Sequence, residues 1–274
     1  MLALADIEVL RAQLRELGSV VVAFSGGADS AFLANIAHQE LGYDRCIVIT
    51  AVSPSLAPEE ELECGSLASE WGFNWRAVYT DELANHKYSV NDGQRCYFCK
   101  AELMDVLLPV ASEVNAKVIL GVNVDDLGDY RPGQSAASER GGVFPLVEAG
   151  FTKEDVRSHS RDMGLRTWDK PAAACLSSRI PYGTPVTLER LTTISRAESA
   201  LRLLGFREFR VRHYDDTARI EVGIDELPRA IDLRIEIVAA IHEAGYRYVT
   251  LDLEGLRSGN LNGALLSRGS AASA

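Results

Sequence analysis

The chain has 274 residues, 47% of them hydrophobic, with 39 acidic against 28 basic side chains and a formal net charge of −11. That size suits one large domain, or a large one with a small one. The acidic balance argues against a non-specific grip on nucleic acid, though a local basic patch can still hold a phosphorylated small molecule.

Residues 4–17 read as an amphipathic helix with Leu4, Ile7, Leu10, Leu14 and Leu17 on one face. Asp6, Glu8 and Arg11 break up this apolar start as a signal peptide would not. No run of about 18 apolar residues follows that could span a membrane, so no membrane association and a cytoplasmic location are expected. An apolar strand at 20–24 leads into Ser25, Gly26, Gly27, Ala28, Asp29 and Ser30, and a helix-like run continues from Ala31. Strand, Gly-Gly turn and helix start make an anion cradle. The glycines let backbone N–H groups turn toward a phosphate, and the helix dipole adds attraction. The stretch is not a Walker A loop, because no Lys lies in or beside it. The ordinary explanation is a strand-to-helix turn built of small residues.

Further strands are expected at 46–52, 75–79 and 118–122, and helices at 58–71, 98–112 and 152–163, the last with Thr152 as N-cap. Strands alternating with helices predict an α/β fold with a parallel sheet covered on both faces. Ligands of such folds bind at the carboxyl ends of the strands, where the Gly-Gly loop lies. Ala51 and Ser53, at the end of the second strand, share that edge. After Pro185 the pattern changes to a helix at 187–204, strands at 209–214 and 218–222, a helix near 228–244 and a strand at 246–253. That order predicts a small α+β domain of ferredoxin-like type. The domains are therefore set at 1–185 and 186–274, with a frayed tail from Ser267.

Five cysteines are present, Cys46, Cys64, Cys96, Cys99 and Cys175. In the cytosol these are reduced thiols, metal ligands or catalytic groups rather than disulfides. Cys96 and Cys99 form a Cys-x-x-Cys pair, and Cys175 stands far along the chain. Thiolates suit iron–sulfur clusters and zinc. A structural zinc site wants four ligands, for which His86 is the remaining candidate. A redox dithiol and plain unligated thiols compete with the metal readings.

The loop at 25–30 resembles the SGGxDS loop of the ATP pyrophosphatase, or PP-loop, superfamily. Its members cleave ATP between the α and β phosphates and use the AMP to activate a carboxylate or carbonyl. The segment KPAAACLSSRIPYG at 170–183 is similar to the signature of the LarE family of sulfur transferases. So are Asp129 to Gly133, Arg210-Val211-Arg212 and the stretch from Tyr246 to Asp252. The resemblance implies ATP and Mg²⁺ as cofactors, and a pyridinium dicarboxylate mononucleotide whose carboxylate is adenylylated and becomes a thiocarboxylate. The product serves the nickel-pincer nucleotide cofactor of lactate racemase, so nickel-insertion and racemase-maturation proteins are implied partners. A homo-oligomer, hexamer or trimer, is implied too.

Carried onto this sequence, the ATP site is Ser25, Gly26, Gly27, Asp29, Ser30, Ala51, Gly121 and Asp126. Asp29 is the candidate Mg²⁺ ligand, although compensation of a helix dipole explains it equally. Gly121 to Asp126 resembles the G-x-N-x-D-D element of PP-loop enzymes, against the reading of a solvated turn. Arg210 and Arg212 alternate along a strand and share a face, which suits a phosphate clamp. By resemblance they hold the substrate phosphate with Ser178 and Arg179, and Glu198 matches a functional glutamate; exposed surface residues are the ordinary alternative. Sacrificial family members use a single Cys in the 170–179 region that gives up its own sulfur. This chain departs from that pattern, and two routes stay open. Cys175 is the sacrificial donor, or Cys96, Cys99 and Cys175 carry a 4Fe-4S cluster that passes on sulfide. A tRNA thiolase, an amidotransferase-like synthetase and a non-catalytic nucleotide sensor are the rival functions.

Overall fold

A computed structural model describes residues 4–128, 132–171 and 174–257. Asp129, Tyr130 and Arg131, Ala172 and Ala173, and the tail lie outside the described residues. In chain order the elements are α1 (Ile7–Leu17), β1 (Val20–Ala23), α2 (Ala28–Leu41), β2 (Cys46–Val52), α3 (Pro58–Glu70), β3 (Asn74–Tyr79), α4 (His86–Ser89), α5 (Arg95–Glu113) and β4 (Lys117–Leu120). Then come α6 (Pro132–Glu139), α7 (Pro145–Glu148), α8 (Lys153–Asp162), α9 (Leu188–Leu203), β5 (Phe209–Tyr214), β6 (Thr217–Val222), α10 (Leu227–Asp232), α11 (Arg234–Ala244) and β7 (Tyr248–Leu251). The chain divides into two compact units, Met1–Glu82 with Cys96–Ala173, and Leu83–Arg95 with Ala174–Ala274.

The first unit is an α/β fold whose sheet has the order β3-β2-β1-β4. All three strand pairs are parallel. Apolar residues on both sides of each strand explain this, since a parallel sheet is buried on both faces. Along β1, Val20 and Val22 enter a core with Leu10, Phe32, Ile36 and Leu67. Val21 points the other way, into a core with Ile49, Met104 and Leu107. The N-terminal helix starts at Ile7 because the Asp6 side chain accepts from Glu8 N–H. Thr152 and Asp155 cap α8 reciprocally, forming a capping box. The fourth strand stops at Leu120 rather than 122. At the next position, Gly121, an added Cβ would lie 2.8 Å from Ser30 N, so the chain runs against the start of α2 there. The long helix begins at Arg95 rather than 98, which puts Cys96 in its first turn and Cys99 one turn further on.

The second unit holds the sheet β5-β6-β7. The pair β5–β6 is antiparallel and β6–β7 parallel. The ferredoxin-like arrangement expected from the element order is not formed: α10 and α11 carry the chain back so that β7 lies beside β6 and runs the same way. The expected helix at 228–244 is two helices, broken at Leu233, whose ψ of 17° leaves the helical range. Its core gathers Leu201, Phe206, Val211, Ile220 and Ile241. The division of the chain falls at 173–174 instead of 185, and residues 83–95 join the second unit. Asn91 explains the join. It is fully buried, and its side-chain amide donates to the carbonyls of Ile180 at 3.3 Å, Pro181 at 2.9 Å and Thr184 at 2.8 Å. Among the described residues no helix is long and apolar enough to cross a membrane.

Candidate functional site

The loop at 25–30 leaves the carboxyl end of the central strand. Phe24 N–H still pairs with Ile49 O of β2 at 2.8 Å, after which the backbone turns at Gly26 with φ +68°. Only glycine adopts that conformation cheaply, and a Cβ there would also stand 2.9 Å from Cys64 Sγ. Ser30 Oγ accepts from Ser25 N–H at 3.2 Å and donates to Gly27 O at 3.2 Å, cross-bracing the loop. Gly27 is the N-cap of α2 and supplies no side-chain cap. The first-turn N–H groups of a 14-residue helix are therefore left for an anion. Ala51 lies at the same edge, in β2 two positions beyond Ile49.

Gly121 brings the 121–126 segment against this helix start. Asn123 Nδ2 donates to Asp29 Oδ1 at 3.1 Å, and Asn123 N–H to Asp126 Oδ2 at 3.3 Å. Lys153 Nζ stands 3.2 Å from Asp126 Oδ1. Burial pushes the Asp29 carboxyl above the usual carboxylate range; Asn123 pulls it back, and Asp126 adds to the rise. A raised carboxyl favours the proton in the folded state, so ionised Asp29 works against folding at neutral pH. Asp29 at the helix start, with the charge of Asp126 acting on it, suits Mg²⁺, which takes one or two carboxylates plus phosphate oxygens. Asp29→Asn is therefore expected to raise the thermal midpoint at pH 7 while removing Mg-ATP turnover. Its stabilising effect should grow as pH rises through the folded carboxyl's range and vanish at pH 3. Melting curves across pH check this; a lower midpoint at pH 7 would contradict it.

The loop's cation is a residue the sequence does not bring near it. Lys170, 144 positions past Gly26, donates to Gly26 O at 3.1 Å and to Glu60 Oε2 at 2.8 Å. No local signal marks that contact. Asn123 could have been found, since it belongs to the G-x-N-x-D-D element.

In the second unit four of the predicted substrate residues, Ser178, Arg179, Glu198 and Arg212, join one charge network. Arg179 makes a two-pronged pair with Glu198, Nε to Oε1 at 2.7 Å and Nη2 to Oε2 at 2.9 Å. Glu198 Oε1 also accepts from Val211 N–H at 2.9 Å. Arg179 Nη1 reaches Ala174 O at 2.8 Å and Ser178 Oγ at 2.9 Å. Arg212 donates to Glu221 Oε2 at 2.9 Å and to Ser178 O at 2.9 Å. Arg219 takes the other Glu221 oxygen at 2.9 Å. Of the two clamp arginines, Arg212 is thus held by a carboxylate. Arg210 has no hydrogen-bond or ion-pair partner among the described residues. Burial, and the charges of Arg212 and Arg179, push the Arg210 guanidinium below its ordinary range. The charges of Glu221 and Glu198 offset this only in part, and a half-buried cation beside two others is a site for an anion. Arg210→Gln should cost the fold little and weaken binding of a phosphorylated mononucleotide about tenfold, the size of one charge-assisted hydrogen bond. Calorimetric titration checks this; unchanged affinity would contradict it.

The cysteines separate into two classes. Cys46 and Cys64 are fully buried. Burial pushes the Cys46 thiol up to about 12 and raises the Cys64 thiol as well, so both are poor nucleophiles. Cys96 and Cys175 are exposed and Cys99 is half-buried. Cys96 and Cys99 belong to the first unit and Cys175 to the second, where its carbonyl accepts from Arg179 Nη1 at 3.3 Å. Among the described residues no group of three or more His, Cys, Asp or Glu is gathered as a metal site.

No protein-family model matches the chain. It is 46% identical over 262 residues to an uncharacterized protein of Synechocystis, across 94% of this chain and 97% of that protein. It is 37% identical over 257 residues to the pyridinium-3,5-bisthiocarboxylic acid mononucleotide synthase of Lactiplantibacillus plantarum, across 93% of each chain. An uncharacterized protein of Methanocaldococcus jannaschii is 28% identical over 240 residues, across 87% of this chain and 91% of that protein.

Proposed function

The chain belongs to the LarE family of pyridinium-3,5-bisthiocarboxylic acid mononucleotide synthases, and we propose that it is an ATP-dependent sulfur transferase acting on a carboxylate of a pyridinium mononucleotide. The observation that carries the ATP half is the glycine loop, with its uncapped helix start, Asp29 held by Asn123, and Lys170 against its backbone. The mononucleotide half rests on Arg210, a cation with no hydrogen-bond or ion-pair partner among the described residues, beside arginines that are themselves held by Glu198 and Glu221.

ATP binds with its phosphates on the loop N–H groups; Asp29, with Asp126 nearby, would hold Mg²⁺, which would supply charge neutralisation for the phosphates. The substrate carboxylate attacks the α-phosphorus, the bond to the bridging oxygen breaks, and pyrophosphate leaves. The acyl-adenylate then loses AMP to a sulfur nucleophile. Two of the five thiols are buried with raised proton affinity, which leaves Cys96, Cys99 and Cys175 for this step. As a donor, the Cys175 thiolate forms a thioester and expels AMP. Loss of its Cα proton then breaks the Cβ–S bond, releasing the thiocarboxylate and leaving dehydroalanine. The second reading is favoured by the pairing of Cys96 and Cys99 on one helical turn. In that reading the thiolates of Cys96, Cys99 and Cys175 would hold a 4Fe-4S cluster, and the chemistry it would supply is delivery of sulfide.

Pyrophosphate release tests the adenylylation. Wild-type protein with Mg-ATP should release pyrophosphate only when pyridinium-3,5-dicarboxylate mononucleotide is added, and Cys175→Ser should still do so while forming no thiocarboxylate. Release that ignores the acceptor would overturn the reading, and so would transfer of sulfur to tRNA in its place.

A further inference from the structure

Lys170 stands against the nucleotide loop in a manner that the adenylylation step can use. Its ammonium lies 3.7 Å from where a Cβ of Gly26 would be, on the side of the loop that Cys64 and Leu67 also line. It donates to Gly26 O and to Glu60 Oε2, the latter in the first turn of α3. The Lys170 and Glu60 side chains are 18% and 19% exposed, so the pair is enclosed rather than a solvated surface contact. The loop itself contains no cation. A triphosphate seated on it would bring several negative charges beside this ammonium. When the bond to the α-phosphorus breaks, further charge gathers on the departing pyrophosphate. A cation placed there binds the transition state more tightly than the ground state.

We propose that Lys170 is the pyrophosphate-side cation of the site and that Glu60 is its latch: the ammonium leaves the Glu60 carboxylate for the β and γ phosphates when ATP binds, and returns to it as pyrophosphate departs. The exchange moves one ion-pair partner and forms or breaks no covalent bond. Glu60 thereby lowers the affinity for the leaving product, because pyrophosphate must compete with a carboxylate already in place. The inference rests on the ATP site proposed above.

The test is calorimetric titration of the full chain with Mg-ATP, magnesium pyrophosphate and AMP, for wild type, Lys170→Met, Lys170→Arg and Glu60→Gln. Lys170→Met should weaken ATP and pyrophosphate by about tenfold or more, the effect of one charge-assisted hydrogen bond, and AMP by less than about twofold. Lys170→Arg should keep most of the pyrophosphate affinity. Glu60→Gln should tighten pyrophosphate and slow its release. Equal losses for AMP and pyrophosphate in Lys170→Met would mean that Lys170 only shapes the loop, and would overturn the proposal. Weaker or unchanged pyrophosphate binding in Glu60→Gln would do the same, and that variant decides the matter should Lys170→Met fail to fold. A wild-type protein that binds neither ATP nor pyrophosphate would overturn the nucleotide site itself; a wild type that binds both, with Lys170→Met unchanged, would overturn this inference alone.

Discussion

Glu198→Ala should be the most damaging single substitution in the second unit, costing about 3–5 kcal/mol, the range for removing one partner of a buried ion pair. Glu198 is 4% exposed and accepts three hydrogen bonds, two from Arg179 and one from Val211 N–H. Its loss strands a buried guanidinium close to Arg210 and Arg212, whose charges already act on each other. Burial works against the charge of Arg179, and the Glu198 carboxylate outweighs it, holding that guanidinium above its ordinary range. With Glu198 gone the burial penalty loses its largest offset, and the bonds of Arg179 to Ala174 O and Ser178 Oγ carry no opposite charge. A fall in thermal midpoint of roughly 10 °C follows for a chain of this size. The double change Arg179→Met with Glu198→Leu removes both charges and should be clearly less damaging than Glu198→Ala alone. Denaturant unfolding of the three variants checks this. A single-variant loss below about 1 kcal/mol would mean that the pair is solvated and contributes little.

Gly121→Ala should cripple the nucleotide site from outside the loop. A Cβ at this position would lie 2.8 Å from Ser30 N, 2.9 Å from the Asp29 carbonyl carbon and 2.9 Å from Ser30 Cα. All three are backbone atoms, so no side chain can swing aside. Either the end of β4 or the start of α2 must move, at about 1–3 kcal/mol for overpacking. Movement of the helix start displaces both the N–H groups of the cradle and Asp29. ATP affinity should drop by about tenfold or more, because anion binding at a helix start depends on where those N–H groups point. Gly27→Ala is the control for stability. It has φ −78°, and its Cβ would meet nothing nearer than Ser25 Oγ at 3.5 Å. Its melting should stay near wild type while that of Gly121→Ala falls. Equal melting of the two variants would contradict the account.

The first unit was legible in the sequence because its signals are local. Apolar runs mark the buried strands, Pro58 marks the start of α3, and Gly26 and Gly27 separate β1 from α2. What escaped depends on distant parts of the chain. Lys170 meets Gly26 across 144 positions. Asn91 ties residues 83–95 to 180–184 through three carbonyls. The break at Leu233 has no Pro or Gly to mark it, and apolar residues continue on both sides, so the sequence gives no warning. Alternation placed Arg210 and Arg212 on one face of β5. It could not tell which of them Glu221 would neutralise, because that carboxylate arrives on the neighbouring strand.

The central claim is that sulfur replaces oxygen on a substrate carboxylate at the expense of ATP. The direct measurement is the mass of the mononucleotide after anaerobic incubation of the protein with Mg-ATP and pyridinium-3,5-dicarboxylate mononucleotide, with the intact mass of the protein taken from the same sample. The account predicts a product in which one sulfur has replaced one oxygen, formed together with AMP and pyrophosphate and absent in Cys175→Ser. A protein lighter by one H₂S identifies Cys175 as the donor, and an unchanged protein mass beside bound iron identifies the cluster. A mononucleotide that keeps all its carboxylate oxygens while ATP is cleaved would contradict the account.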